Sequence, residues 1–164
     1  MKLKFFITGG TNCKRYNEIS GALEFRDSFI PEMLERGRCK LDYSTEQLML
    51  KDSLEMNDED RETILASCSA CEKSKIIISH GTDTMVDTAR VLGQKLENKT
   101  VVLFGAMIPY SISNSDAIFN LGCAVTAVQL LGAGVFVVMN GRIFRWDDVS
   151  KNRGEGLFQR ADLQ

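Results

Sequence analysis

The sequence predicts an α/β fold in three layers, in which a mostly parallel, doubly wound sheet lies between helices. Apolar runs such as Ile76-Ile77-Ile78 and Val101-Val102-Leu103 are typical of strands that are covered on both faces. Segments with helical spacing alternate with these runs, and this order favours a parallel sheet with helices on both sides. The 164 residues, 44% of them hydrophobic, are enough for a single domain with its own core.

The first part of the chain supplies two strands and a short helix. Lys2 to Thr8 has the composition of a strand, which ends at Gly9-Gly10. Residues 12–26 are polar, and we expect an irregular loop there of a length that is often functional. A short helix is predicted to open at Pro31, and a second strand to fall within 38–50.

A longer helix is predicted to begin after Asn57. Asparagine is a favourable N-cap, and the acidic residues 58–60 suit the positive end of the helix dipole. We expect this helix to end near Lys73, before the strand at 76–78. The next helix is predicted to begin at Thr84.

The second half of the chain continues the alternation. A strand is predicted at 100–104, and the helix at 116–131 is apolar nearly all round, so we expect it to be deeply packed. A further strand at 134–139 is followed by Asn140-Gly141, a strong turn signal, and by a short hairpin arm at 143–144.

Charge and hydropathy exclude several classes of protein. The net charge is −2 and no basic stripe is present, which argues against a nucleic-acid partner. No apolar run is long enough to span a membrane, and the one at 3–7 is too short for a signal peptide, so we expect a cytoplasmic protein. We assign 1–151 to one domain and the polar segment 152–164 to a loose tail.

The cysteines predict neither a disulfide framework nor a metal site. Their number is odd, at five, which favours free thiols. Cys68 and Cys71 form a C-x-x-C, but no second pair complements it and His80 is the only histidine. Because a structural zinc normally needs four ligands, we expect no metal and no other cofactor.

Polar clusters follow four of the predicted strands or hairpin arms. They are Thr8-Gly9-Gly10-Thr11, His80-Gly81-Thr82-Asp83-Thr84, Gly105-Ala106-Met107-Ile108-Pro109 and Asp148-Val149-Ser150-Lys151. The carboxyl ends of parallel strands meet at one edge of a sheet, and ligands bind in the crevice outside that edge. Two threonine hydroxyls, an acid and a lysine are therefore expected to converge there.

This combination is suited to nucleophilic catalysis. The Thr11 hydroxyl is a weak nucleophile unless a neighbouring group takes its proton, and a desolvated Lys151 held by Asp83 is suited to that role. Tyr16, in the loop just after Thr11, is a second candidate for proton transfer.

Each position also has a simpler interpretation. Gly-Gly-Thr after a strand is usually a turn, and 82–84 before a helix resembles an N-cap. Lys151 in a polar segment is usually solvated, Tyr16 is usually a loop anchor, and His80 at a strand end is more often a structural donor than a base. The four clusters on one predicted edge favour the catalytic interpretation.

The clusters also resemble a known family. Together with Ser115-Asp116-Ala117-x-x-Asn120-Leu121, they resemble in order and spacing the amino-terminal domain of the bacterial-type L-asparaginases. This resemblance implies hydrolysis of a side-chain amide through a covalent acyl-threonine.

The resemblance also implies roles for individual residues. Thr11 matches the family's first nucleophilic threonine, and Tyr16 occupies the place of the mobile-loop tyrosine. Thr82, Asp83 and Lys151 match the second threonine, the acid and the lysine. Ser53 matches the serine that holds the substrate α-carboxylate, and Asp83 matches the acid that binds the α-ammonium. The other residues expected to contact the substrate are Gly10, Gly81 and Ala106.

Three features depart from the family pattern. Leu54 stands where better-known members carry a glutamine that contacts the substrate, and Thr11 is followed by Asn12-Cys13 where Ile-Ala or Ile-Asp is common. Full-length members continue into a second, smaller domain that completes the site of a neighbouring subunit. Since this chain ends at Gln164, we expect that domain to be absent and apolar surface to be exposed.

Two hypotheses follow. The first is an amidohydrolase that acts on asparagine or a related small amide through Thr11. The second is a non-catalytic amino-acid-binding or regulatory module. In both cases the partner is a small amino acid or amide, and the chain is expected to form a homodimer or a higher homo-oligomer.

Overall fold

The computed structural model describes residues 2–161; Met1 of the predicted domain and residues 162–164 of the predicted tail lie outside the described residues. The strands are β1 (Lys2–Gly9), β2 (Lys14–Asn17), β3 (Ala22–Phe25), β4 (Asp42–Lys51), β5 (Lys75–Ser79), β6 (Thr100–Phe104), β7 (Gly134–Met139), β8 (Arg142–Arg145), β9 (Ser150–Asn152) and β10 (Leu157–Gln159). The helices are α1 (Ile30–Arg36), α2 (Asp58–Ala70), α3 (Met85–Lys95) and α4 (Ala117–Leu130).

The main sheet has the strand order β4-β1-β5-β6-β7-β8. Its first five strands are parallel, and only β8 runs antiparallel to its neighbour β7. Because β4 lies on one side of β1 and β5 on the other, the winding of the chain reverses between β1 and β5. A reversal of this kind opens a crevice at the carboxyl ends of the two strands. The predicted fold class is confirmed.

Helices cover both faces of the sheet. Phe5, Ile77 and Val102 lie in register on neighbouring strands and contact the layer of α1 and α4. Alternate residues such as Ile76 and Ile78 face the layer of α2 and α3. Alternation along each strand therefore divides the core into two, as expected for apolar strands buried on both faces.

The start of α2 was predicted correctly. Asn57 Oδ1 accepts from the Asp60 backbone N–H at 3.0 Å, and the Asp60 carboxylate accepts from the Asn57 N–H at 3.0 Å, which makes a capping box. The helix ends at Ala70, earlier than the predicted Lys73, because Cys71 has extended backbone dihedrals.

The segment 12–26 is not the irregular loop that we expected. Its residues form a single 3₁₀ turn at 11–13 and then the antiparallel pair β2–β3. Asn17 organises the connecting turn, because its Oδ1 accepts from the backbone N–H groups of Ile19 and Ser20.

The expected loose tail is wrong for residues 152–159. Leu157–Gln159 pairs with Ser150–Asn152, and Phe158 is buried with 1% of its surface exposed. Asn152 Oδ1 accepts from the N–H groups of Gly154 and Glu155 and closes the turn between the strands. One aromatic side chain in a polar segment is therefore enough to anchor it.

The helix α4 is packed on one side only. Leu121, Ala124 and Val128 are buried, whereas Phe119 and Leu130 are 60% and 83% exposed. The expectation of deep packing all round is therefore wrong. Within the residues described, no helix is long and apolar enough to cross a membrane.

Candidate active site

Glycines at the ends of β1 and β5 let two strand-end turns touch. Gly10 has φ +69°, and a Cβ there would lie 2.5 Å from the backbone nitrogen of Gly81. A Cβ at Gly81 would lie 2.6 Å from Ser53 Oγ. No side chain fits at either position without displacing its neighbours. This contact brings the turns that carry Thr11, Thr82 and Ser53 to one point on the carboxyl edge.

A lysine joins the second threonine to the acid. Lys151 Nζ donates to Thr82 Oγ1 at 2.8 Å and to Asp83 Oδ1 at 2.7 Å. The Lys151 side chain is only 7% exposed, so its amino group depends on these acceptors. The predicted convergence of Thr82, Asp83 and Lys151 is therefore present, and β9 delivers the lysine.

Ser53 lies beneath the same turn. Its Oγ accepts from the Asp83 backbone N–H at 3.2 Å, and its carbonyl accepts from the Thr84 hydroxyl at 2.7 Å. The serine is 1% exposed. In this geometry Ser53 supports the Asp83 turn, and its hydroxyl hydrogen is left to donate.

The residues on either side of Ser53 differ in character. The Asp52 carboxylate accepts from Lys14 Nζ at 2.6 Å and from the Leu54 N–H at 3.1 Å. The hydrogen bond from Lys14 is the main reason that the pKa of Asp52 lies below its usual value. Leu54, by contrast, presents an apolar side chain that is 64% exposed.

Thr11 opens the 3₁₀ turn that follows Gly10. Its side chain is partly exposed, and its hydroxyl has no hydrogen-bond partner in the part of the chain that the structure describes. Asn12, next to it, is buried and donates from Nδ2 to Ser79 Oγ at 3.3 Å. This bond ties the turn of Thr11 to the end of β5.

Tyr16 is not brought into this cluster. It lies on β2 opposite Leu23, and 59% of its side chain is exposed. Among the described residues, no hydrogen bond links it to Thr11 or Lys151. Its role in proton transfer stays a prediction.

The third cluster is held in place by Asp116, an acid for which no role was predicted from the sequence. Ala106 is buried just beyond β6, and the Asp116 carboxylate accepts from the Met107 N–H at 3.0 Å and from Asn120 Nδ2 at 2.8 Å. An acid directly before an apolar helix is usually taken for an N-cap, but Asp116 makes no side-chain cap bond. The motif Ser115-Asp116-Ala117 was the available signal.

His80 has a structural role. Its Nδ1 bonds to the Gly81 carbonyl at 2.7 Å, so Nδ1 carries the proton, and Nε2 accepts from the Thr88 hydroxyl at 2.8 Å. Burial lowers the pKa of His80 to about 4, so the ring is neutral near pH 7. The simpler interpretation of this residue is the better one.

An apolar groove lies elsewhere on the described surface. It has a volume of about 490 Å³ and an apolar lining that includes Phe119, Cys123, Leu130 and Ile143 from α4 and β8. None of the predicted site residues lines it. The polar cluster at the carboxyl edge is therefore the candidate active site, because that is where the chemically competent side chains meet.

Comparison with known proteins gives a consistent result. A sequence profile described as "Asparaginase, N-terminal" matches residues 2–159. The chain is 38% identical over 151 residues to L-asparaginase 2 of Escherichia coli strain K12, an alignment that covers 87% of this chain and 42% of that protein.

Solved structures show the same likeness. The thermostable L-asparaginase from Thermococcus kodakarensis superposes with a TM-score of 0.87 at 30% identity, covering 100% of this chain and 52% of that one. A probable cytoplasmic L-asparaginase from Campylobacter jejuni superposes with a TM-score of 0.85 at 29% identity, covering 99% and 53%. The chain thus spans about half the length of the relatives that it matches.

Proposed function

Because this chain belongs to the asparaginase family and matches its amino-terminal domain, we propose that it hydrolyses the side-chain amide of asparagine or of a related small amide. One observation carries the proposal. Lys151, nearly buried, bonds to both Thr82 and Asp83, beside the turn that presents the free hydroxyl of Thr11. A weak hydroxyl nucleophile needs an adjacent group of this kind.

The proposed reaction proceeds in two halves. The Thr11 oxygen attacks the carbonyl carbon of the amide, and its proton passes to the group formed by Thr82, Asp83 and Lys151. The C–N bond then breaks, the nitrogen leaves as ammonia with the transferred proton, and Thr11 carries the acyl group as an ester. Water then adds to the ester carbonyl and the bond between this carbon and the Thr11 oxygen breaks. The acid leaves with the hydroxyl group of the water, and the Thr11 oxygen takes up the remaining proton of that water.

Substrate binding is proposed at the same turns. The Asp83 carboxylate, with 37% of its side chain exposed, is suited to an α-ammonium. Ser53 lies directly beneath it, and the backbones of Gly10, Gly81 and Ala106 line the remaining strand ends. Tyr16 is proposed to approach only when the β2–β3 hairpin closes over a ligand.

We also propose that the protein forms a homo-oligomer in the cytoplasm. Phe119 and Leu130, exposed on α4, and Ile143, exposed on β8, line one apolar groove, and exposed apolar patches usually mark interfaces. The five cysteines are unpaired, as is usual in a reducing compartment. The Campylobacter jejuni relative is itself described as probably cytoplasmic.

The test is ammonia release from asparagine, glutamine and propionamide by the purified chain. We expect release from at least one amino-acid amide and little from propionamide, which lacks the groups that Asp83 and Ser53 would hold. Binding of aspartate without ammonia release from any amide would overturn the proposal in favour of a binding module.

A further inference from the structure

Arg153 lies at the mouth of the candidate site. It follows Lys151 by two residues and is the first residue of the turn that comes after β9. Lys151 bonds to the side chains of Thr82 and Asp83, and Arg153 Nη2 donates to the Asp83 carbonyl at 3.4 Å. Arg153 is exposed and makes no ion pair with any residue that the structure describes. Most of its guanidinium donors are therefore available.

The backbone at Arg153 is fixed. Asn152 Oδ1 closes the turn by accepting from Gly154 and Glu155, at 3.1 and 3.2 Å. The Glu155 carboxylate is engaged by Asn152 Nδ2 at 3.3 Å. Arg153 thus places a positive charge on a short fixed turn beside Asp83, the residue suited to hold an α-ammonium. It is well placed to bind a second, negatively charged group of the same ligand.

The turn of Ser53, which also contacts Asp83, offers few donors to an anion. Ser53 can give one hydroxyl hydrogen, and Leu54 adds only an exposed apolar side chain. A carboxylate accepts several hydrogen bonds, and a guanidinium matches its two oxygens with parallel N–H donors. In an amino acid the carboxylate and the ammonium share one carbon, so their anchors must lie within a few ångströms of each other, as Arg153 and Asp83 do.

We propose that Arg153 binds the α-carboxylate of the substrate and makes this chain selective for amides that carry one. This inference rests on the proposed function, because it assigns the carboxylate anchor of that same site. Arg153 is a specificity-determining residue and takes no part in proton transfer.

The first test compares two amides that differ in one group. Asparagine carries the α-carboxylate, and 3-aminopropanamide is the same molecule without it. For Arg153→Ala we expect KM for asparagine to rise roughly tenfold with kcat unchanged, as for the loss of one charge-assisted hydrogen bond. KM for 3-aminopropanamide should not change. For Arg153→Lys we expect a KM for asparagine between those of the wild type and Arg153→Ala. The matched control is Arg160→Ala, an exposed arginine near the same hairpin that pairs with Asp148 at 3.5 Å.

The second test does not depend on turnover. Calorimetry on Thr11→Ala measures the Kd of aspartate and of β-alanine, which lacks the α-carboxylate. Adding Arg153→Ala to this variant should raise the Kd of aspartate roughly tenfold and leave the Kd of β-alanine unchanged. Equal aspartate binding with and without Arg153 would overturn the role of Arg153 while the proposed function stands. Absence of both aspartate binding and ammonia release would overturn the proposed function and this inference with it.

Discussion

At the scale of single residues, Asp83 is the point where the parts of the site join. Its N–H donates to Ser53, its carboxylate accepts from Lys151, and its carbonyl accepts from Arg153. Two separate chain segments, the turn of Ser53 and the stretch from Lys151 to Arg153, are thus tied to one residue. A shift of the backbone at Asp83 would disturb its bonds to both.

His80, on the strand side of that turn, predicts a pH dependence of stability. Above pH 6.5 the His80 ring is neutral in both the folded and the unfolded protein, so its full contribution to the free energy of unfolding is present. Between pH 6.5 and about 4 the unfolded chain takes up a proton that the folded chain does not, so the free energy of unfolding falls with falling pH. The loss approaches about 3 kcal/mol, since each unit of pKa difference is about 1.4 kcal/mol.

Urea unfolding at pH 7, 5.5 and 4.5 measures this effect. Within this window, His80→Gln should show a much flatter dependence, because glutamine offers polar atoms to Gly81 and Thr88 and does not titrate. Wild-type stability that is the same at pH 7 and pH 4.5 would contradict the buried neutral histidine.

At the scale of elements, the short pair β9–β10 carries Lys151, the lysine that we propose acts in catalysis. Lys151 and Phe158 are directly opposite each other in this pair, so their side chains lie on the same face. Phe158 is buried in the half of the core that α2 and α3 cover, and Lys151 is therefore positioned by an aromatic anchor a few residues away in sequence.

Phe158→Ala should consequently reduce both stability and activity. Loss of a buried phenylalanine costs about 3–5 kcal/mol. Activity measured well below the unfolding transition should fall as well, because the strand that holds Lys151 loses its anchor. The control is Leu157→Ala, next to it and 45% exposed, which should change neither by much. Full activity in folded Phe158→Ala would show that the lysine does not depend on this anchor.

Local sequence signals account for the main sheet but not for the two small hairpins. Ile76-Ile77-Ile78 predicts a buried strand because burial on both faces requires apolar residues throughout. Asn57 predicts a helix start because its side chain can accept from a backbone N–H of the first turn. The pairs β2–β3 and β9–β10 are short and partly polar. The second is anchored by the single buried side chain of Phe158, which no periodicity reveals.

The residues of the candidate site also fall into a group that the sequence predicted and a group that it did not. Thr82, Asp83 and Lys151 were predicted because strand ends share one edge. The supporting roles of Asp116 and Arg153 depend on turn geometry and were not predicted.

At the scale of the whole molecule, the candidate active site at the carboxyl edge and the apolar groove lie on different parts of the surface. The groove runs between α4 and β8, the antiparallel edge strand of the main sheet. A second copy of the chain that covers Phe119 and Ile143 would leave the carboxyl edge open to substrate.

Sedimentation velocity at micromolar concentration measures the proposed assembly. The wild type should sediment as a dimer or larger, and the double change Phe119→Glu with Ile143→Glu should give monomers, because both side chains are more than half exposed in the single chain. Ile19→Glu, 93% exposed on the β2–β3 turn, is the control and should leave the assembly unchanged. A wild type that is monomeric would contradict the proposed interface.

The most direct test of the proposed chemistry is ammonia release from asparagine by the wild type and by Thr11→Ala at equal concentration. Thr45→Ala, an exposed threonine on β4, is the matched control. We expect release by the wild type and by the control. We expect a loss of several orders of magnitude in kcat for Thr11→Ala with an unchanged free energy of unfolding. Ammonia release by Thr11→Ala at the wild-type rate would contradict a threonine nucleophile at this site.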